Sequence, residues 1–382
     1  MKIVIFGLTL SSSWGNGHAT LWRGLITALA RRGHEVVFFE RDVGYYAAHR
    51  DFTEFPGAQL VLYEHWGEVA AQALHHARQA DATLVTSYYP DARPATTLIF
   101  EAAPHAKHVF YDLDTPVTLA RLQAGDTVDY LPAAGLKDFD LVLSYTGGTA
   151  LTALREVLGA QCVAPLYGHV DVHAHYPLAV HDRPRAVLSY LGTYAVDRQA
   201  TLEKLFLEPA RRRPAQRFVL GGAGYPPEFP WTDNIWFTRH VSPAEHPAFF
   251  GSSRLTLNVT RADMVALGFC PSGRLFEAAA CGTPLLSDAW EGIEHFFEPG
   301  EEIIIAGTTD DALAALDLSD AELAHIARAA RERVMSQHTS AHRADELVSL
   351  LQTAENRPAL TLPAAAVIPA IDPSRNAHFR RS

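Results

Sequence analysis

Residues 1–40 read MKIVIFGLTLSSSWGNGHATLWRGLITALARRGHEVVFFE. KIVIF at 2–6 is continuously apolar, as a strand covered on both faces must be. Leu21, Trp22, Leu25, Ile26 and Leu29 then recur with helical period on one face, and Gly33 closes that helix. EVVFFE at 35–40 resumes as a second strand. Strand, helix and strand in this order predict a βα unit of a parallel sheet. Between the first strand and its helix lies SSSWGNGH, 11–18, whose serines and glycines let backbone and small side chains approach a ligand closely. Three readings stand open for it: a phosphate cradle around Gly15 and Gly17, a loop presenting His18 as a catalytic base, or an ordinary βα turn.

The same alternation continues along the chain. TLVTSY (83–88), KHVFYD (107–112) and DLVLSY (140–145) read as strands, with helices around 66–79, 93–102 and 147–158. At APLYGHVDVHAHYP (164–177) a short strand gives way to a polar, histidine-rich stretch ending in Pro177, which marks a linker. AVLSYLG (186–192), QRFVLGG (216–222), RLTLNV (254–259), TPLLSD (283–288) and EIIIAG (302–307) restart the pattern, with helices near 197–210 and 272–281 and three more from 310 to 354. An α/β protein of two Rossmann-like, doubly wound domains is expected, with a cleft where the carboxyl ends of the strands meet. The expected boundaries are 1–168 for the first domain and 169–340 for the second, the linker covering about 169–182. A helix at 341–355 is expected to return to the first domain, and 356–382 to form a loosely packed tail.

Length and composition agree. The 382 residues exceed what one core organises, and 48% hydrophobic with 20% charged residues is globular composition. A net charge of −11 argues against a nucleic-acid binder with a broad basic surface. Three scattered cysteines form no disulfide framework. The chain shows neither a signal-peptide pattern nor an apolar run of about 18 residues, so a cytoplasmic location is expected.

PSGRLFEAAACGTPLLSD, 271–288, carries the most chemistry. Ser272 can cap a helix whose first-turn amides suit an anionic phosphate. Glu277, before Ala278, Ala279 and Ala280, can accept hydrogen bonds from a ribose diol, although from these residues alone a capped helix with a surface glutamate is the plainer reading. The longer run from LNVTRADM (257–264) through EEIIIA (301–306), with echoes at HTSAHRADEL (338–347), resembles the donor-nucleotide half of GT-B glycosyltransferases. It is most similar to the bacterial group typified by the CgeB spore-maturation protein.

The resemblance implies a hexosyltransferase that needs no cofactor or metal. It implies that Glu277 holds the ribose of a nucleotide sugar and that Ser272, Gly273 and Arg274 form the phosphate-facing turn. Gly192 then ends the first strand of the donor domain. Related retaining enzymes follow this glycine with an arginine, and place a lysine six residues after it. Here Thr193 and Arg198 stand in those places. Arg198, with Arg261 of NVTRADM as a second cation, would stabilise a diphosphate leaving group. A second glutamate common to retaining relatives is replaced by Phe269, so stereochemistry does not follow from the motif.

The first domain is left for the acceptor, a molecule bearing a hydroxyl or amine. His18 suits proton removal near neutral pH. Asp112 and Asp114 in FYDLDTPV follow a strand and could orient His18 or serve as the base, and Asp114 could equally cap a helix. Gly147 and Gly148 suit close ligand approach or tight packing. His169, His173 and His175 with Asp171 invite a metal reading, but their linker position and the resembling family's lack of such a pattern favour interdomain packing, as for His338 and His342. Sugar transfer is therefore the leading expectation. A nucleotide-sugar epimerase and a non-catalytic nucleotide-sugar-binding protein of the same fold are the alternatives.

Overall fold

The opening unit forms a parallel pair, β1 (Lys2–Phe6) and β2 (Glu35–Arg41), with the helix His18–Arg31 crossing between them. The structure, a computed structural model, describes residues 1–179 and 185–354. Part of the expected linker, 180–182, and the expected tail therefore lie outside the described residues. The first sheet adds β3 (Gln59–Tyr63), β4 (Ala82–Thr86), β5 (Lys107–Asp112), β6 (Leu141–Ser144) and β7 (Val163–Pro165), in the order β3-β2-β1-β4-β5-β6-β7. The second contains β8 (Leu188–Leu191), β9 (Phe218–Gly221), β10 (Ile235–Thr238), β11 (Thr256–Asn258), β12 (Leu285–Ser287) and β13 (Ile304–Ile305), in the order β10-β9-β8-β11-β12-β13. Both sheets are parallel throughout.

Each sheet reverses its winding beside its first strand, between β1 and β4 and between β8 and β11. Ligand crevices of such sheets open at these switch points, outside the carboxyl ends of the strands. Alternation within β1 feeds two cores, Val4 and Phe6 on one face and Ile3 and Ile5 on the other. The last helix, Ser340–Thr353, contributes Ala344, Leu347 and Leu351 to the first domain's core. Arg32 Nη2 donates to Asp345 Oδ2 at 2.6 Å across that contact.

Two strands escape the sequence reading, β3 and β10, and both are sheet edges. Their apolar runs, LVLY and IWF, are short, and β10 leaves Trp236 and Phe237 exposed, as an edge strand can. The helix read at 197–210 is broken into a 3-10 turn at Val196–Arg198, helical turns at Gln199–Leu202 and Glu208–Arg212, and a π turn at Glu203–Leu207 between them. Among the described residues no helix is long and apolar enough to cross a membrane.

Candidate active site

A cavity of about 350 Å³ lies between the two sheets, walled by loops that follow strands of both. From the first domain, Ser13, Gly15, Asn16, Gly17, His18 and Asp114 line it. From the second come Gly192, Thr193, Arg198, Arg261, Ser272, Gly273, Arg274 and Glu277. Every residue expected at the site reaches this space except Asp112.

The donor-side wall begins where β8 ends. A Cβ at Gly192 would lie 2.6 Å from Tyr190 Oη, and one at Gly222 (φ +144°) only 1.9 Å from the Gly192 carbonyl oxygen, so glycine at both lets the two loops abut. Arg198 Nη1 donates to Tyr190 Oη and to the Thr193 carbonyl, each at 3.3 Å, while its buried Nε has no partner among the described residues. Arg261 is tethered, its Nε 3.4 Å from Asp197 Oδ2. Thr260 beside it donates through amide and hydroxyl to the buried Asp288, a residue no motif singled out.

Ser272 precedes the helix Gly273–Ala280 without capping it through its side chain. One turn in, Glu277 is buried against two imidazoles. Its Oε2 lies 3.5 Å from His246 Nδ1 and its Oε1 4.0 Å from His175 Nε2. Burial alone would raise its pKa, but His246 and His175 outweigh it and hold the carboxyl well below the usual range. Burial pushes the His175 imidazole down, and its Nε2 is 3.0 Å from His246 Nδ1. Burial and the neighbouring Arg198 lower Arg274 as well.

The histidine-rich linker does not assemble as one cluster. His169 turns to Ser340 Oγ (2.9 Å), the His173 amide donates to Asp171 Oδ1, and His175 turns to Glu277. The ligand-type atoms that do converge, within 4.8 Å of one another, belong to His175, His246 and Glu277. His246 Nδ1 stands within reach of both His175 Nε2 and Glu277 Oε2, so the three side chains form one buried polar cluster around the carboxylate.

Across the cleft, the first loop is organised by Glu40 at the end of β2, which the sequence reading passed over as a strand residue. Its Oε1 accepts from Thr9 Oγ1 (2.9 Å) and Ser11 Oγ (2.6 Å), and its Oε2 from the amides of Leu10 (2.7 Å) and Ser11 (2.9 Å). Asn16 Oδ1 accepts from the amides of His18 and Ala19, which fixes the start of the helix. Gly15 sits at φ +66°, where a Cβ would meet Tyr45 Oη at 2.6 Å, whereas a Cβ at Gly17 would meet nothing within 4 Å.

His18 Nε2 is 3.8 Å from Asp114 Oδ2, a gap one bridging oxygen can close, and its buried Nδ1 has no partner among the described residues. Tyr88, in the left-handed region at φ +63°, places its ring 5.9 Å from that of His18. Asp112 lies beneath this pair, fully buried and off the cavity wall, its Oδ1 accepting from the Asp114 amide at 3.1 Å. Burial pushes its pKa up to about 6. The direct catalytic role expected of Asp112 is thus replaced by support of Asp114, because the side chain points into the domain.

The seam between the domains accounts for the remaining glycines. Phe269, at φ +46°, is wedged against Gly148 and Gly292, where Cβ atoms would fall 2.6 and 2.5 Å from its ring. The Gly147 amide donates to the Phe269 carbonyl at 3.0 Å. Gly147 and Gly148 therefore serve packing. At the cleft mouth Trp14 stacks on His49 (3.8 Å between centroids) and leans on His240 of the second domain (4.8 Å).

Comparison with known proteins bears on the fold. A search of curated proteins finds no relative by sequence. Sucrose-phosphate synthase from Thermosynechococcus elongatus superposes with a TM-score of 0.65 at 14% identity, covering 92% of this chain and 98% of that one. Anabaena HepE in complex with UDP-glucose gives 0.63 at 14% identity, over 92% and 100%. An alpha-glucosyltransferase in complex with UDP-glucose and abasic DNA gives 0.66 at 11%, over 92% and 98%. The chain has the GT-B glycosyltransferase fold of sucrose-phosphate synthase and the alpha-glucosyltransferase, and its residues 198–349, which carry Arg198 and Glu277, match the family described as glycosyl transferase-like.

Proposed function

We propose that the protein is a bacterial, CgeB-like glycosyltransferase that moves a hexose from a nucleoside diphosphate donor to a hydroxyl- or amine-bearing acceptor in the cytoplasm, without a metal. The observation that supports this best is the facing of Glu277, Arg198 and the Ser272–Gly273 turn against His18 and Asp114 across one cavity. Glu277 is buried and ionised, so its oxygens can accept from both hydroxyls of a ribose. Arg198, with Arg261 and the helix N-terminus at Ser272, supplies positive potential for the diphosphate. UDP-glucose, held in the HepE and alpha-glucosyltransferase complexes, is the donor to test first. DNA, present in the latter complex, is not proposed as a partner, since a net charge of −11 argues against a broad basic surface.

In the transfer step the acceptor oxygen bonds to the anomeric carbon as that carbon's bond to the diphosphate breaks. The electron pair leaves with the diphosphate, which Arg198 neutralises. The acceptor proton passes to the His18 imidazole, and Asp114 stabilises the imidazolium that results. Closure of the two domains excludes water, the competing acceptor.

The reading is tested by thermal shift with UDP, UDP-glucose and other nucleotide sugars, followed by product analysis with candidate acceptors. Stabilisation by a nucleotide sugar and acceptor-dependent release of the diphosphate are expected. If no nucleotide or nucleotide sugar stabilises the protein, the reading fails, and epimerised donor without transfer would replace it.

A further inference from the structure

His169 lies in the cavity wall, and nothing in the transfer step uses it. Its side chain is only 6% exposed. Nδ1 is 2.9 Å from Ser340 Oγ at the start of the last helix, and Nε2 is buried with no partner among the described residues. A buried polar atom without a partner costs about 1–3 kcal/mol and calls for an explanation. Three more residues of the same wall carry enclosed polar atoms without partners among the described residues, Ser13 Oγ, His18 Nδ1 and Arg198 Nε. They come from both domains and surround one space, as a ligand rich in oxygen would require.

Gly24 shows how the ring is accommodated. A Cβ there would fall 2.4 Å from Ser340 Oγ and 3.4 Å from His169 Cε1. Glycine inside a helix costs about 1 kcal/mol against alanine, and here it makes room for the pair. Burial and the neighbouring Arg343 push the His169 pKa down to about 3, so the ring is neutral. When the Ser340 hydroxyl donates to Nδ1, the ring proton sits on Nε2. Glu277 is near enough to act on the ring electrostatically, which sets His169 beside the ribose and diphosphate.

We propose that His169 is a donor-binding residue whose Nε2–H hydrogen-bonds an oxygen of the nucleotide's ribose or diphosphate, with Ser340 fixing the ring's tautomer. The inference rests on the nucleotide-sugar reading given above. Two variants of similar size separate the ring's two ends. His169→Asn carries its amide only as far as the Nδ1 position, so it keeps Ser340 and loses the cavity contact. His169→Gln reaches the Nε2 position.

Calorimetric titration with UDP and with uridine, alongside ligand-free melting of each variant, reads the difference. His169→Asn should weaken UDP binding by about tenfold, the loss of one good hydrogen bond, while His169→Gln stays within about threefold of wild type. A loss shared by uridine assigns the contact to the ribose, and a loss confined to UDP assigns it to the diphosphate. Equal weakening by both variants, or wild-type affinity in His169→Asn, overturns the inference alone. No UDP binding by the wild type overturns the parent reading with it.

Discussion

Glu277 and Asp112 are both buried carboxyls, yet their surroundings drive them in opposite directions. The imidazoles beside Glu277 hold its pKa below the ordinary 4.5, so its ionised form is complete above that pH and is lost only as pH falls through the lowered value. Glu277→Gln is therefore expected to weaken UDP binding about tenfold or more, by a ratio that stays constant between pH 5 and 8. Titrations at both ends of that range check it, and a ratio that collapses at pH 5 would count against an ionised ribose ligand. Asp112 has no such partner, and burial lifts it from 3.8 to about 6. The folded state then holds its proton longer than the unfolded chain, so this carboxyl costs stability as pH rises through that window. Asp112→Asn should raise the melting temperature at pH 8 by a few degrees, with the gain vanishing below about pH 4. A melting series across pH checks the sign. The difference between the two was not legible in sequence, which places Asp112 at a strand end and Glu277 inside a helix but does not show which groups face them. Direction of the side chain, toward the cleft for Glu277 and into the domain for Asp112, depends on the local turn.

At the scale of elements, buried strands announced themselves because both faces of a parallel sheet must be apolar, as in KIVIF and EVVFFE. The edges β3 and β10 were missed although LVLY (60–63) and IWF (235–237) are apolar, because runs this short do not by themselves distinguish a strand from other buried segments. The site was legible where a motif stands on one helix start, as at Ser272–Glu277, and illegible where it depends on contacts between elements. Glu40 is the clearest case, since four bonds from residues 9 to 11 make it the anchor of the first loop while its sequence context is only the end of a strand. Phe269 is another. Its place in the motif suggested a missing carboxylate, but the element it belongs to turns the side chain between Gly148 and Gly292 and off the cavity wall. Phe269→Glu is thus expected to destabilise the protein by several kcal/mol and to leave donor turnover no faster, because it would bury a charge where the ring now packs on Gly148 and Gly292. Chemical denaturation and a turnover assay check both halves, and a faster enzyme would show that the seam opens to the donor.

The whole molecule depends on two domains meeting, and the contacts that join them divide by position. Near the back of the cleft the last helix packs into the first domain's core while its first turn touches His169 of the linker, so chain crossing and cavity wall are mechanically joined. At the mouth the junction is lighter. Trp14 belongs to the loop that carries His18, and its indole lies between His49 of its own domain and His240 of the other. Removing the indole leaves each domain's core untouched, so its effect should fall on the balance between open and closed arrangements. Each aromatic contact is worth about 0.5–1.5 kcal/mol, and of Trp14's two the one with His240 spans the cleft, so Trp14→Ala should lower the closed-to-open ratio by roughly 2- to 13-fold. The expected result is a several-fold higher KM for the donor and a larger radius of gyration in solution scattering, with the melting temperature changed by only a few degrees. Unchanged scattering together with a wild-type KM would mean that the seam around Phe269 and the last helix, not Trp14, set how the domains meet.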